Sequence, residues 1–431
     1  MFSALTPFFP RLRKILMVGG TESFGVVLGG IAGLLIVNVL PKDQYAAYTF
    51  LVACLTLMLG ITDTGLAHCC LPVVGKRSSE PPWVIGACQQ VFRKRWALLF
   101  GGFFIVAPYW FLSSREHGWT GMGYWAATVF TVATLLFNLR EHYAGTVLTI
   151  LGHVSTLTRV SFVSITVRIV FVCAVLLLPI TAYSLSGIMA ATAAASVVSV
   201  VLYVRAFKSH RLVEKKLSPE TAKEVDRQIY KFAKPLVLPA VFYQFQGVIT
   251  VFLVSLFGTS SMLAEVGAFG RLSMMLIVFD RVAAVILFPA IARAPDGGQL
   301  ESMVLKAHAL YLAMMALVLL TAVYFPHYWM LLLGHQYKDR ESLVWMAFMA
   351  TLLLNSAGFA FRTMAARGFT VRQSYIIPFV LAIQVGYLAL FGASTLQAVL
   401  GFGIATCLAN FLYQYAMLAT WFVAQRRQKT G

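Results

Sequence analysis

The sequence predicts an all-α fold, that of a polytopic membrane protein with about 12 transmembrane helices. Of its 431 residues, 59% are hydrophobic and only 12% are charged, whereas a soluble domain carries about 25% charged residues. Most of its apolar stretches reach or approach the ~20 residues that a helix needs to cross ~30 Å of hydrocarbon, and they are too long and unbroken for barrel strands. These stretches are roughly 15–40, 46–70, 96–113, 121–148, 160–180, 184–204, 235–257, 263–288, 307–325, 343–361, 375–392 and 396–421.

The net charge of +18 indicates topology rather than a nucleic-acid partner. Most Lys and Arg residues fall in segments on one side of the predicted membrane, and the other side holds only Lys42, Arg115, Lys338 and Arg340. The positive-inside rule then places both termini and the hydrophilic segment 205–234 in the cytoplasm. The expected location is the inner (cytoplasmic) membrane, with a secondary attraction to anionic lipid headgroups.

Several classes of site and signal find no support in the sequence. The first span carries Glu22 and is too long for a signal peptide, so no cleavable signal is expected. The six cysteines are scattered without metal-ligand spacing, which favours neither a zinc site nor a disulfide framework. No catalytic Ser/His/Asp grouping and no phosphate-binding GxxxxGK[ST] loop occurs. We therefore expect no enzymatic activity, no cofactor and no metal.

An internal repeat divides the chain into halves. The shift that places Asp63 over Asp280 also places Pro72 over Pro289 and Lys76 over Arg293, without a gap. Each half holds six spans, so both halves enter the membrane from the same side and form a parallel repeat. The prediction is two six-helix bundles around a central cavity, with domains 1–215 and 216–431.

The first and seventh spans are interrupted at corresponding places of the two halves. The first is rich in glycine, and the seventh contains Pro235 and Pro239. Such interrupted pairs mark transport cavities, and a helix break at membrane depth needs water or a protein partner. For Gly25, Gly29 and Gly33 alone, a small-xxx-small packing face is the favoured alternative.

Charges inside predicted spans are the candidate functional residues, because such charges are costly and usually face the bundle interior or a wet cavity. Arg271 and Arg168 lie about 12 Å along their spans at 1.5 Å per residue. They are predicted to line a cavity, with a buried structural pair as the alternative. Glu22, about 10 Å into the first span by the same rise, either exchanges a proton or sodium ion or forms a structural ion pair.

Five further charged residues lie close to the cytoplasmic boundary, where the cost is smaller: Asp63, Arg140, Glu141, Asp280 and Arg281. For these, helix capping or pairing with basic loops is favoured. Ion coupling remains open for Asp63 and Asp280.

Three stretches resemble a known family. LIVNVLPKDQYAAYTFLVACLTLMLGITDTGL resembles the first two spans of polysaccharide transporters, the O-antigen and exopolysaccharide flippases. KPLVLPAVFYQFQGVITVFL is similar to their seventh span, and LLLGHQYKDRESLVWMAFMA to their ninth-to-tenth connection. These transporters belong to the multidrug/oligosaccharidyl-lipid/polysaccharide flippase superfamily.

The resemblance implies two bundles that rock to give alternating access to a substrate carried on a polyprenyl diphosphate. It further implies a cationic cavity lined by the first, second, seventh and eighth spans, and a polysaccharide polymerase and chain-length machinery as partners. On this sequence those spans contain Glu22, Asp63, Arg271, Asp280 and Arg281. Arg168, on the fifth span, fits this cavity less directly.

Two other functions remain as alternatives. A multidrug or cation antiporter of the same superfamily would centre its site on carboxylates, whereas the deep charges here are mostly arginine. A membrane glycan polymerase or ligase generally needs a substantial outer loop, and the longest outer segment here is the short stretch 325–342.

Overall fold

A computed structural model describes residues 28–177, 183–213, 217–274, 276, 287–288, 291, 294–295, 297–365, 367, 369 and 373–430. Throughout these residues the regular structure is helical, and no β-strand occurs in them. The predicted all-α fold is confirmed.

Fifteen α-helices follow one another in the described parts of the chain. They are α1 (Leu28–Val39), α2 (Lys42–Asp63), α3 (Leu66–Val74), α4 (Pro81–Glu116), α5 (Met122–Ile150), α6 (Val154–Leu177), α7 (Ser184–Ser209), α8 (Pro219–Gln246), α9 (Ile249–Phe257), α10 (Ser260–Met274), α11 (Gly298–Tyr324), α12 (Pro326–Leu331), α13 (Val344–Ala365), α14 (Ile376–Phe391) and α15 (Leu396–Thr430). Short 3₁₀ turns cover Gly75–Arg77, His335–Leu343 and Gln373–Tyr375.

The helices have the length and composition of membrane spans. Among the described residues, nine helical segments are long and apolar enough to cross a membrane, and a bent pair makes a tenth. The first and eighth predicted spans are described only in part, by α1 and α10. Each of the predicted spans therefore contains a helix, as a protein with about 12 transmembrane helices requires.

The second span breaks where the sequence predicts a continuous helix. Helix α2 ends at Asp63, and Thr64 and Gly65 both adopt left-handed backbone conformations, with φ of 38° and 83°. A β-branched residue rarely takes this conformation, and glycine takes it readily. The chain then resumes as α3, so the carboxylate of Asp63 lies at the start of a new helix.

The seventh span is interrupted, but not at its prolines. Helix α8 runs without a break past Pro235 and Pro239, and the bend of 56° falls between Gln246 and Ile249. The expectation that the prolines break this span is wrong. Each proline removes only one backbone donor, and the chain instead changes direction at Gly247 and Val248, between α8 and α9.

The chain forms two compact units. The first unit comprises Val39–Ser260, and the second combines Ser261–Gly431 with the described residues before Val39. The units differ from the halves 1–215 and 216–431, because α1 belongs to the second unit and α8 and α9 belong to the first. The compact units follow from contacts between helices, whereas the halves follow from the sequence repeat. The repeat boundaries therefore stay a prediction.

In the first unit, the hydrophilic segment before the seventh span is largely a docked helix. Val225, Ile229 and Ala233 recur every four residues on α8, which places them on one face. That face is buried in an apolar cluster with α3 and α4. Gln90 donates a hydrogen bond to Asp226 (3.0 Å), and Lys94 forms an ion pair with the same carboxylate (3.1 Å). The start of α8 is thereby held against α4.

In the second unit, α1 is attached at its end to the connection after α12. The Asn38 amide donates to the carbonyl of Leu332 (2.6 Å), and the Gln336 amide donates to the carbonyl of Val37 (2.7 Å). The core of this unit includes Val304 on α11, Met364 on α13 and Trp421 on α15. The two hydrogen bonds attach the end of α1 to the rest of the second unit.

Candidate functional site

Arg271 lies in the last turn of α10 and packs against the glycine-rich face of α1. A Cβ added to Gly33 would stand 3.1 Å from Arg271 Cδ and 3.5 Å from its Nη1. A side chain at position 33 would therefore require the arginine to shift by a few tenths of an ångström. By contrast, a Cβ at Gly29 would meet nothing within 4 Å. The absence of a side chain at Gly33 therefore leaves space for Arg271.

The Arg271 side chain is half-buried, and its Nη1 lies 3.5 Å from Met274 Sδ. A sulfur atom is a weak acceptor of hydrogen bonds. The position combines permanent charge, partial burial and an apolar helix. The guanidinium can donate paired hydrogen bonds to an anionic oxygen.

A second charged residue of α10 was missed in the sequence. Glu265 is 1% exposed, and Arg340 Nε donates to its Oε1 at 3.1 Å. The sequence contained a signal for this residue, because Glu265 is an acidic residue two positions into the predicted eighth span. A buried carboxylate paired with an arginine is typical of a structural ion pair. The Glu265–Arg340 pair joins α10 to the 3₁₀ turn before α13.

In the first unit, Asp63 performs two structural tasks. Its Oδ1 accepts a hydrogen bond from the Ala67 amide (2.9 Å), in the first turn of α3. The same oxygen lies 3.8 Å from Nη1 of Arg95 on α4. Capping and pairing are the roles that the sequence analysis favours for Asp63. Its part in ion coupling stays a prediction.

Arg95 is the most deeply buried arginine near this site. Its side chain is 1% exposed, its guanidinium lies 5.0 Å from the ring centroid of Phe92, and Nη1 lies 3.5 Å from His142 Nδ1. Within the described residues, its Nε and Nη2 have no hydrogen-bond partner. The charge distribution in the sequence places Arg95 among the basic residues on the cytoplasmic side. Only the packing of α4 against α2 and α5 shows that it is enclosed.

A cavity of about 530 Å³ adjoins this cluster. Its polar lining includes Arg95, Asn138, Glu141, His142 and Thr146. Glu141 accepts a hydrogen bond from Ser199 (2.6 Å), so one wall of the cavity carries an anchored carboxylate. The cavity brings together two of the charges that the sequence placed near the cytoplasmic boundary, Glu141 directly and Asp63 through Arg95.

Arg168 is described but is not among the residues that line this cavity. It lies just past the middle of α6, half-buried, and its Nε has no hydrogen-bond partner among the described residues. Glu22, Asp280 and Arg281 lie outside the described residues.

Solved transporters share this architecture. An inward-facing multidrug-resistance MATE transporter of the MOP superfamily aligns with a TM-score of 0.69 at 15% identity, over 94% of this chain and 96% of that chain. The lipid II flippase MurJ, in an inward closed conformation, aligns with a TM-score of 0.68 at 12% identity, over 94% of this chain and 87% of that chain.

A MOP superfamily transporter from Pyrococcus furiosus, whose binding pocket is described as having reverse polarity, aligns with a TM-score of 0.60 at 14% identity, over 96% of each chain. The chain has the fold of MOP superfamily transporters.

This MOP-type fold agrees with the superfamily that the sequence resembles. No protein-family model matches the sequence, and no curated protein sequence matches it either. Since the structural similarities lie at 12–15% identity, they establish the fold alone. The neighbours include both drug transporters and a lipid-linked precursor flippase, so the substrate has to be argued from the residues of this chain.

Among the described residues of the MOP-type fold, no group of three or more His, Cys, Asp or Glu side chains is arranged to hold a metal ion. Two of the charged features in the described residues adjoin candidate sites. The first unit has the Asp63–Arg95 cluster with its cavity, and the second unit has Arg271 against α1.

Proposed function

We propose that the protein flips a polyprenyl-diphosphate-linked oligosaccharide, the repeat unit of a polysaccharide, from the cytoplasmic to the outer leaflet of the inner membrane. The polyprenyl tail stays in lipid while the polar head crosses by alternating access. The observation that carries the proposal is Arg271, a half-buried permanent cation in the eighth span, seated against Gly33 of the first span.

The chemistry of the head group supports this assignment. Phosphates cannot be left without partners at membrane depth. Arginine binds phosphate oxygens with paired hydrogen bonds and keeps its charge in an apolar environment. The fold shared with the lipid II flippase MurJ adds support, because that protein moves a lipid-linked substrate.

A cation antiporter is the second candidate, favoured by the similarity to MATE transporters. Its site would need carboxylates free to bind a cation. In the first unit, Asp63 lies next to Arg95, so this pair supplies no net negative charge. Arg271 would repel a cationic drug. The flippase is therefore the better fit.

The decisive experiment measures membrane abundance and surface glycan together, in a strain that lacks its own transporter. We expect Arg271→Ala to lower glycan export by about ten- to hundredfold, the value of a hydrogen-bonded charged contact, with abundance near wild type. Arg271→Lys should retain part of the activity, because a point charge keeps attraction but loses the paired geometry. Arg227→Ala, an exposed arginine of α8, is the control.

Full export by Arg271→Ala would refute the cavity role. Loss of the protein itself would favour a buried structural pair, for which removing one partner costs about 3–5 kcal/mol. Uptake or efflux of cationic drugs without any effect on glycan would support the antiporter.

Gly33 provides an independent test of the same contact. Gly33→Ala adds a methyl group 3.1 Å from Arg271 Cδ, whereas Gly29→Ala adds one with nothing within 4 Å. Both changes remove a glycine from the same helix, so their effects on helix propensity match. We expect export to fall for Gly33→Ala and not for Gly29→Ala. Equal export by the two variants would show that the position of Arg271 is unimportant.

A further inference from the structure

The first unit contains a second cavity, of about 630 Å³. It lies where the ends of α4 and α5 that the charge distribution predicts to be cytoplasmic meet the start of α8. Its polar lining comprises Gln89, Gln90, Arg93 and Arg140, and Trp96 forms part of its apolar wall. This cavity contributes nothing to the contacts of Arg271.

Among the residues that the structure describes, the lining of this cavity carries positive charge and no carboxylate. Asp226 on α8 is bound by Gln90 and Lys94. Arg93 is exposed, and within the described parts of the chain it forms no hydrogen bond or ion pair. The guanidinium groups of Arg93 and Arg140 and the amide of Gln89, which line one cavity, can donate to an anion with several acceptor oxygens.

The depth of the cavity indicates the source of that anion. Arg93 lies three residues before the apolar run of the third span begins, and Trp96 stands at its start, 39% exposed. Tryptophan at this place is typical of the membrane–water interface. The cavity is therefore at the level of lipid headgroups.

We propose that this cavity binds the phosphate group of an anionic phospholipid from the leaflet on the basic side of the protein. Arg93 and Arg140 hold the phosphate, Gln89 donates to it, and the acyl chains extend into the bilayer beside Trp96. The site is separate from the transported substrate.

The bound headgroup would also join two helices of the first unit. Gln89 and Arg93 lie on α4, and Arg140 lies on α5. A phosphate held by these side chains would connect α4 to α5. Binding should therefore raise the temperature at which the first unit unfolds, by mass action on the folded state.

The test uses the purified, delipidated full chain in detergent. Native mass spectrometry counts retained lipid, and thermal unfolding is followed with added phosphatidylglycerol, phosphatidylcholine or inorganic phosphate. We expect phosphatidylglycerol to bind and stabilise the wild type, and phosphatidylcholine to do so only weakly. Each basic residue near an anionic surface contributes roughly fivefold, so Arg93→Gln with Arg140→Gln should weaken the binding of phosphatidylglycerol by about 30-fold.

The matched control is Arg227→Gln, which removes an exposed charge from α8 outside the cavity and should leave binding unchanged. If Arg227→Gln weakened the binding of phosphatidylglycerol as much as the double variant, net charge alone would attract the lipid. That result would overturn the proposed site. Unchanged lipid binding by the double variant also overturns it. Stabilisation by inorganic phosphate that equals that by lipid and is lost in the double variant would assign the site to a free anion instead.

Discussion

The pairing of Asp63 with Arg95 predicts an asymmetric response to mutation. Arg95 is enclosed, at 1% exposure, whereas the side chain of Asp63 is 28% exposed. Asp63→Asn keeps an oxygen that can accept from the Ala67 amide but leaves a buried cation without its nearest anion. Arg95→Met leaves a carboxylate that water can reach.

The magnitude follows from the 3.8 Å separation between Asp63 Oδ1 and Arg95 Nη1. Two unit charges at that distance interact by about 4 kcal/mol at an effective dielectric constant near 20. Partial exposure of Asp63 reduces this to about 2–3 kcal/mol. We expect Asp63→Asn to lower the free energy of unfolding by that amount. Arg95→Met should cost about 1 kcal/mol or less, since Asp63 can hydrate and buried donors without partners are removed.

The assay is equilibrium unfolding in mixed micelles, for the two single variants and the double variant. The double-mutant cycle isolates the interaction energy of Asp63 with Arg95. It separates this energy from the smaller effect of removing a negative charge at the N-terminus of α3. We expect the double variant to be more stable than Asp63→Asn alone. Glu116→Gln, at an exposed carboxylate of the same unit, is the control. The reasoning fails if Asp63→Asn costs no more than this control, or less than Arg95→Met.

Two further predictions concern the ends of the helices. His153, between α5 and α6, stacks on His210 at 3.9 Å, and burial together with that neighbour lowers the pKa of His153. The unfolded chain therefore binds this proton more tightly, so stability should fall as the pH drops below about 6.5. His153→Gln should flatten the dependence of the melting temperature on pH between 7 and 5, and an unchanged slope would exclude His153 as its origin. For the topology, a cysteine replacing the exposed Lys223 should resist an impermeant thiol reagent in intact cells, whereas one replacing the exposed Arg115 should react. The reverse pattern would invert the predicted orientation.

Much of the fold was accessible from the sequence, because hydrophobic length is a local property. Apolar runs and the charges between them predicted the all-α class and the approximate position of each span. The breaks within spans were less accessible. The second span bends at Thr64 and Gly65, and the seventh continues past Pro235 and Pro239. A proline removes one backbone donor, and the surrounding helices decide whether the chain bends there.

The sequence by itself determined that charges lie inside the spans, and Arg271 and Asp63 were both found this way. Only the tertiary structure decided their neighbours: Gly33 for Arg271, Arg95 and Ala67 for Asp63, and Arg340 for Glu265. A charge inside an apolar run can be recognised from that run alone, so the sequence reveals which residues are costly to place in a membrane. The partner that offsets this cost comes from another helix, and its identity depends on how the helices pack.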